Sequence, residues 1–188
     1  MNYFPALLSF SDKRILLVGG GEVATKKLNT LLEFSENITI IAPFFSSTME
    51  QLIQKHNLNF QKREYITSDL EKIDIIIVAT ENISLQEKIY HQTREKKILF
   101  HCVDKVELCD FIFPSYIKEE NLIIAISTYG ISPAFSKYLK EYLQKCLPKN
   151  RSSFLKELKE YRQKLPKGKE RMTFLKQKVK EFFSSEAL

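Results

Sequence analysis

The stretch Arg14-Ile15-Leu16-Leu17-Val18-Gly19-Gly20-Gly21-Glu22-Val23-Ala24-Thr25-Lys26-Lys27 decides the fold. Four consecutive aliphatic residues ending in glycine read as a strand buried on both faces, the kind found in parallel sheets. From Glu22 to about Phe34 the spacing becomes helical, with Val23, Leu28, Leu31 and Leu32 expected on the inner side. Between strand and helix, Gly19-x-Gly21-x-x-Ala24 has the form of a dinucleotide fingerprint with alanine in third place. Gly19 permits the tight turn out of the strand. Gly21 lets backbone amides approach a pyrophosphate, and Ala24 is small enough for helix and strand to pack closely. The helix N-terminus supplies N–H donors and the positive end of its dipole. A plain strand–helix turn has the same outline; the strand before and the helix after favour a nucleotide.

Working outward, Ile38-Thr39-Ile40-Ile41-Ala42 is a second strand, stopped by Pro43. Ser46 or Ser47 is placed to cap a helix reaching about His56. Asn59 to Tyr65 reads as a weaker strand, Asp74 to Ala79 as a strong buried one, Leu85 to Lys96 as a helix, and Ile98 to Val103 as a fifth strand. Strands alternating with helices predict a parallel sheet covered on both faces. After residue 110 the pattern changes. Phe111-Ile112-Phe113 and Leu122 to Ser127 are expected to be strands around a polar turn, Lys118 to Asn121. Ser132-Pro133 then opens a helix, with serine as N-cap and proline at N1, running to about Leu147. Two amphipathic helices follow over 151–183, broken near Pro166-Lys167-Gly168. The expected class is α/β: a Rossmann-type domain over 1–112, a dimerisation hairpin and helix over 113–147, and a small all-helical basic domain over 148–188.

The chain has 188 residues and a net charge of +6. Residues 151–188 hold 11 of the 29 Lys and Arg and 5 of the 23 Asp and Glu. The remaining 18 of each sign balance, so the whole excess lies in the tail. That points to an acidic ligand or partner near the tail, or to a solvated helical face. Three scattered cysteines, Cys102, Cys109 and Cys146, are no disulfide framework, and the N-terminus has no basic segment followed by an apolar run. No stretch approaches the length of a membrane span. A reducing cytoplasm is the expectation, with neither membrane nor nucleic acid as partner.

Several motifs in register resemble one family. Phe4-Pro5, Leu17 to Lys27, Val103-Asp104, Phe111-Ile112-Phe113-Pro114-Ser115 and Ala125-Ile126-Ser127-Thr128-x-Gly130-x-Ser132-Pro133 are similar to the motifs of precorrin-2 dehydrogenases, the siroheme synthase proteins found alone or fused to a methyltransferase. The resemblance covers roughly residues 1–145. Over the tail it extends to character, with Arg171 and Phe174-Leu175 in a similar pattern. It implies NAD-dependent oxidation of precorrin-2 to sirohydrochlorin, a homodimer, and in many members insertion of ferrous iron to give siroheme. The chain ends where fused forms continue, so the stand-alone form is expected.

Asp104 lies just past the fifth strand, at the sheet edge where open α/β sheets hold ligands. The resemblance assigns it proton removal. By position, the cofactor contacts carried over are Gly19, Gly21, Glu22, Val23, Pro43, Phe44, Thr80 and Val103. The second strand ends in Ala42-Pro43, without a carboxylate for a ribose hydroxyl or an evident arginine for a 2′-phosphate. NAD is therefore favoured by resemblance alone.

Precorrin-2 carries many carboxylates and calls for cations and amide donors. Lys105, Lys137 and the turn Ser127, Thr128, Gly130 before a helix N-terminus are the candidates. His101, Cys102, Asp104 and Cys109 invite a metal site, but strand alternation sends His101 and Cys102 to opposite faces, so no fixed metal ligands are assigned. The family typically carries asparagine where His101 stands. The alternatives are a dehydrogenase without chelatase activity, and a nucleotide-sensing module whose basic tail binds nucleic acid. The tail has few interleaved aromatics and no recognition motif, which disfavours the latter.

Overall fold

A computed structural model describes residues 3–186. The chain divides into two compact units at the boundary between residues 112 and 113. In the first unit, β1 (Ile15–Val18), β2 (Ile38–Ile41), β3 (Asn59–Gln61), β4 (Ile75–Val78) and β5 (Leu99–Cys102) form one parallel sheet in the order β3-β2-β1-β4-β5. Helices α1 (Glu22–Leu32), α2 (Ser47–His56) and α3 (Ile83–Arg94) make the crossovers. β1 and β4 are buried at every residue, as sheet strands covered by helices must be. Leu16, Val18, Ile76, Val78, Phe100 and Cys102 pack with Ile89 of α3 in one core layer.

The sheet order reverses between β1 and β4, the place where doubly wound folds hold ligands. Registers are level there: Val18 pairs with Ile41 on one side and Val78 on the other, and Val78 pairs with Cys102. Gly19, Ala42, Ala79 and Val103 therefore leave the sheet at one common edge.

Local chemistry explains the helix starts. Ser46 Oγ accepts from Met49 N at 3.2 Å, Asn82 Oδ1 from Leu85 N at 3.0 Å, and Ser132 Oγ from Phe135 N at 3.1 Å. Each satisfies an amide that the first helical turn leaves without a partner.

The second unit holds β6 (Ser115–Glu119) and β7 (Leu122–Ile126), an antiparallel pair joined through Glu120-Asn121, and three helices: α4 (Pro133–Cys146), α5 (Arg151–Lys164) and α6 (Lys169–Glu186). α4 lies against the hairpin. α5 and α6 pair through a stacked Phe154–Phe182 contact and an edge contact of Tyr161 with Phe174. Arg171 Nη1 donates to the carbonyls of Arg162 at 3.0 Å and Leu165 at 3.2 Å, closing the C-terminal end of α5.

Four details differ from expectation. Val23 is half exposed on α1, and Ala24, Thr25, Leu28 and Leu31 form its buried face. β3 stops at Gln61 with all three residues exposed, because it is an edge strand. α3 begins at Ile83, earlier than Leu85, because Asn82 caps it. Phe111-Ile112-Phe113 is no strand; the pairing begins at Ser115. Asp110 is held by Arg94 and accepts from Phe100 N at 2.8 Å, while the Phe111 carbonyl lies 3.1 Å from His101 Nδ1. Those contacts hold this segment to β5, and Pro114 offers no amide to a ladder.

Candidate active site

The three glycines have distinct physical roles. Gly19 sits at φ +132°, and a Cβ there would lie 2.1 Å from the Ala79 carbonyl oxygen. A Cβ on Gly20 would lie 2.0 Å from the Phe44 carbonyl oxygen. Gly20 O also accepts from Ser46 N at 2.8 Å. Both residues are glycine because neighbouring backbone allows nothing larger. Gly21 differs: an added Cβ would meet nothing within 4 Å. It is the N-cap of α1 and provides no side-chain cap, so the first-turn amides have no capping oxygen from that residue. Thr25 Oγ1 donates to Gly21 O at 2.8 Å and lies 3.2 Å from Ser46 Oγ, which fixes the loop from behind. An uncapped helix N-terminus behind open space fits a dinucleotide pyrophosphate.

The other residues named for the cofactor reach the same edge. Glu22 and Val23 are exposed in the first turn of α1, and Pro43 and Phe44 are exposed after β2. Thr80 follows β4, and Val103 follows β5, its amide donating to Val78 O at 3.3 Å. Asp104 is exposed at the next position.

Sequence reading missed Gln86. It is fully buried on α3, and its Nε2 donates at 2.7 Å both to Thr80 O and to Asp104 Oδ2. Both partners are acceptors, which settles the orientation of the amide. Nothing in the local sequence marked it, since its burial and both partners come from the packing of α3 on the ends of β4 and β5.

Asp104 stands on a tightly held loop. Cys102 N donates to Cys109 Sγ at 3.3 Å, Cys102 Sγ to Lys105 O at 3.2 Å, and Cys109 Sγ to Cys102 O at 3.3 Å. Tyr3 donates to the carbonyls of Val106 and Cys109. The hydrogen bond with Cys102, together with burial, pushes the Cys109 thiol up, so it stays protonated. Lys105 is ion-paired with Glu87, so part of its charge is already engaged.

Among the described residues no three His, Cys, Asp or Glu side chains cluster as a metal site. His101 faces Phe111, while Cys102 packs with Phe100 in the α3-side core. Burial, and then the Lys27 charge, pulls the His101 imidazole down to about 4. The Phe111 carbonyl only accepts, so Nδ1 carries the proton of the neutral ring. The unfolded chain takes up a proton near the ordinary value of 6.5, and the native ring resists until about 4. Stability is therefore complete above that ordinary value and declines as pH falls through the window between the two, by on the order of 3 kcal/mol. A lower urea midpoint at about pH 5 than in neutral buffer is expected, with His101→Asn removing much of the difference. An unchanged difference in that variant would assign the acid sensitivity elsewhere.

In the second unit, Ser127, Thr128 and Gly130 form the turn before α4. Ser127 Oγ accepts from Tyr129 N and Thr128 Oγ1 from Ser132 N, both at 3.1 Å. Tyr129 and Gly130 both have positive φ. The two hydroxyls thus shape the turn itself. Lys137 is exposed on α4. In the tail, Arg151 pairs with Glu119, Lys156 with Glu120, Lys164 with Glu160 and Lys178 with Glu181. Part of the basic excess is therefore structural. A cavity of about 710 Å³ opens at the amino ends of β1, β4 and β5, lined by Lys13, Lys72, Lys96 and Lys97 among others. It is at the sheet edge opposite the glycine loop.

A parallel sheet with a glycine loop open at its switch point defines a dinucleotide-binding protein. The family described as putative NAD(P)-binding matches residues 6–115. The chain belongs to that family. It is 36% identical over 148 residues to a siroheme synthase of Pseudoalteromonas atlantica, covering 79% of this chain and 32% of that protein. A siroheme synthase of Photorhabdus laumondii is 30% identical over 178 residues, covering 95% of this chain and 37% of its own length. The chain spans about a third of the length of the curated relatives it matches. A solved structure described as SirC, precorrin-2 dehydrogenase shares the fold, with a TM-score of 0.75 at 23% identity over 93% of this chain and 88% of that one. Among the described residues no helix is long and apolar enough to cross a membrane.

Proposed function

We propose that the chain catalyses NAD-dependent oxidation of precorrin-2 to sirohydrochlorin, with Asp104 as the general base. The observation that carries this reading is one shared sheet edge. The open Gly21 loop leaves the carboxyl end of β1 and the Asp104 loop that of β5, on either side of β4, and the level register brings both to that one edge. The siroheme synthase relatives supply the substrate class.

When bound, NAD accepts a hydride at its nicotinamide ring. The amides of Glu22 and Val23 hold the pyrophosphate at the α1 N-terminus, and Gly21 leaves the room for it. Pro43 and Phe44 line the adenosine side; Thr80 and Val103 flank the nicotinamide half. Asp104 takes the proton released as the macrocycle loses its hydride, so the products are sirohydrochlorin, NADH and the proton on the carboxylate. The end of β2 carries neither a carboxylate nor an arginine, so the choice of NAD over NADP rests on the resemblance.

Ser127, Thr128, Gly130, Lys105, Lys137 and the unpaired part of the tail's basic excess serve the substrate carboxylates. Two copies associate through 113–147, where Phe135, Tyr138 and Tyr142 leave an apolar stripe exposed on α4. Residues 148–188 act as the basic helical domain. The three free thiols suit a reducing cytoplasm.

Purified protein given precorrin-2 and NAD without oxygen is expected to produce NADH and the sirohydrochlorin spectrum, with NADP run alongside. An unchanged spectrum would sink the dehydrogenase reading. Ferrous or cobaltous ion added to sirohydrochlorin tests whether iron is a second substrate.

A further inference from the structure

We propose that Gln86 is the positioning residue of this site, and that it makes Asp104 Oδ1 the atom that takes the substrate proton. The inference rests on the reading of Asp104 as the base. Gln86 is fully buried, yet both its amide hydrogens are used at the sheet edge, one on Asp104 Oδ2 and one on the Thr80 carbonyl. Thr80 lies just past β4, and Asp104 just past β5, so one side chain from α3 ties together the exits of two neighbouring strands.

Three observations separate this from ordinary core packing. Gln86 shares the inner face of α3 with Ile89 and Thr93, where an apolar residue would fill the same space. Its Oε1 has no hydrogen-bond partner among the described residues, so the side chain is retained at a cost to burial. A core glutamine kept for stability alone is expected to satisfy both ends. The contact also divides the carboxylate. Oδ2 is taken by Gln86, while Oδ1 accepts no hydrogen bond among the described residues and stays available on an exposed residue. Gln86 thus fixes the orientation of the carboxylate and its spacing from the Thr80 backbone. Groups that orient a reacting side chain are typically worth about 10- to 100-fold in activity.

The test is a double-mutant cycle on the full chain, read with precorrin-2 and NAD. Gln86→Met keeps the volume and removes both donors. It is expected to lower kcat about ten-fold or more, with NAD affinity by calorimetry within about two-fold. In an Asp104→Asn background the same change should alter kcat by less than about two-fold, since no carboxylate remains to orient. An equal loss in both backgrounds, or normal turnover by Gln86→Met, overturns the proposal. Should Gln86→Met fail to fold, Gln86→Leu goes through the same comparisons; if neither folds, Gln86 belongs to the core and the proposal fails. Asp104→Asn with a normal rate would instead remove the reading of Asp104 as the base. A slow Asp104→Asn beside a normal Gln86→Met removes only this inference.

Discussion

Asp104→Ala is expected to lower kcat with precorrin-2 by about 10²- to 10⁴-fold, the usual worth of a positioned general base. NAD affinity should stay within about two-fold. The side chain is exposed, and its one hydrogen bond among the described residues is to Gln86, so its loss does not open the core. The loop that carries it is held from elsewhere, by the hydrogen bonds around Cys102 and Cys109 and by Tyr3. The melting temperature should therefore move little. The one local cost is that Gln86 Nε2 loses an acceptor and keeps the Thr80 carbonyl. Single-turnover kinetics with calorimetric NAD binding checks both halves. Wild-type turnover would remove Asp104 as the base; lost NAD binding would mean that the variant had distorted the cofactor edge.

The second large effect belongs to the glycine loop, where two positions two residues apart should lose NAD binding with different effects on stability. Gly19→Ala places a methyl 2.1 Å from the Ala79 carbonyl oxygen, at a φ of +132° that L residues rarely adopt. The neighbouring atom is backbone at the end of β4, paired beside β1, so it cannot rotate away. Strain and overlap together are expected to destabilise the protein by about 3 kcal/mol or more, and to abolish NAD binding with it. Gly21→Ala has an ordinary φ of −84° and meets no protein atom within 4 Å. Its melting temperature should match the wild type, while NAD affinity falls about ten-fold or more because the methyl occupies the pyrophosphate's approach. Denaturant unfolding beside calorimetry separates the two. Normal NAD binding by Gly21→Ala would show that the open space is not the cradle.

Those contrasts mark how far sequence reading reaches. Strand and helix identity, the glycine loop, and the caps at Ser46 and Ser132 are local matters of periodicity, hydrogen-bond donors and backbone freedom. They were legible because each is decided within a few residues. Asp104 was legible too, since its place just past a strand already puts it at the ligand-binding edge.

Gln86 was not legible. Its spacing suits either face of α3, and its partners lie six residues before it and eighteen residues after it, brought together only by β4 and β5 pairing. Val23 went to the wrong side for a related reason: Thr25 and Ala24 take the inner face once α2 and Ser46 pack nearby. The strand expected at Phe111 moved to Ser115 because Asp110 and the Phe111 carbonyl are engaged by Phe100, Arg94 and His101, residues at least ten positions away. By itself, then, the sequence determined a dinucleotide-binding α/β protein of one family. Only the tertiary structure decided which glycine is open to a ligand and which atom of Asp104 is left free, because both depend on contacts between strand ends distant along the chain.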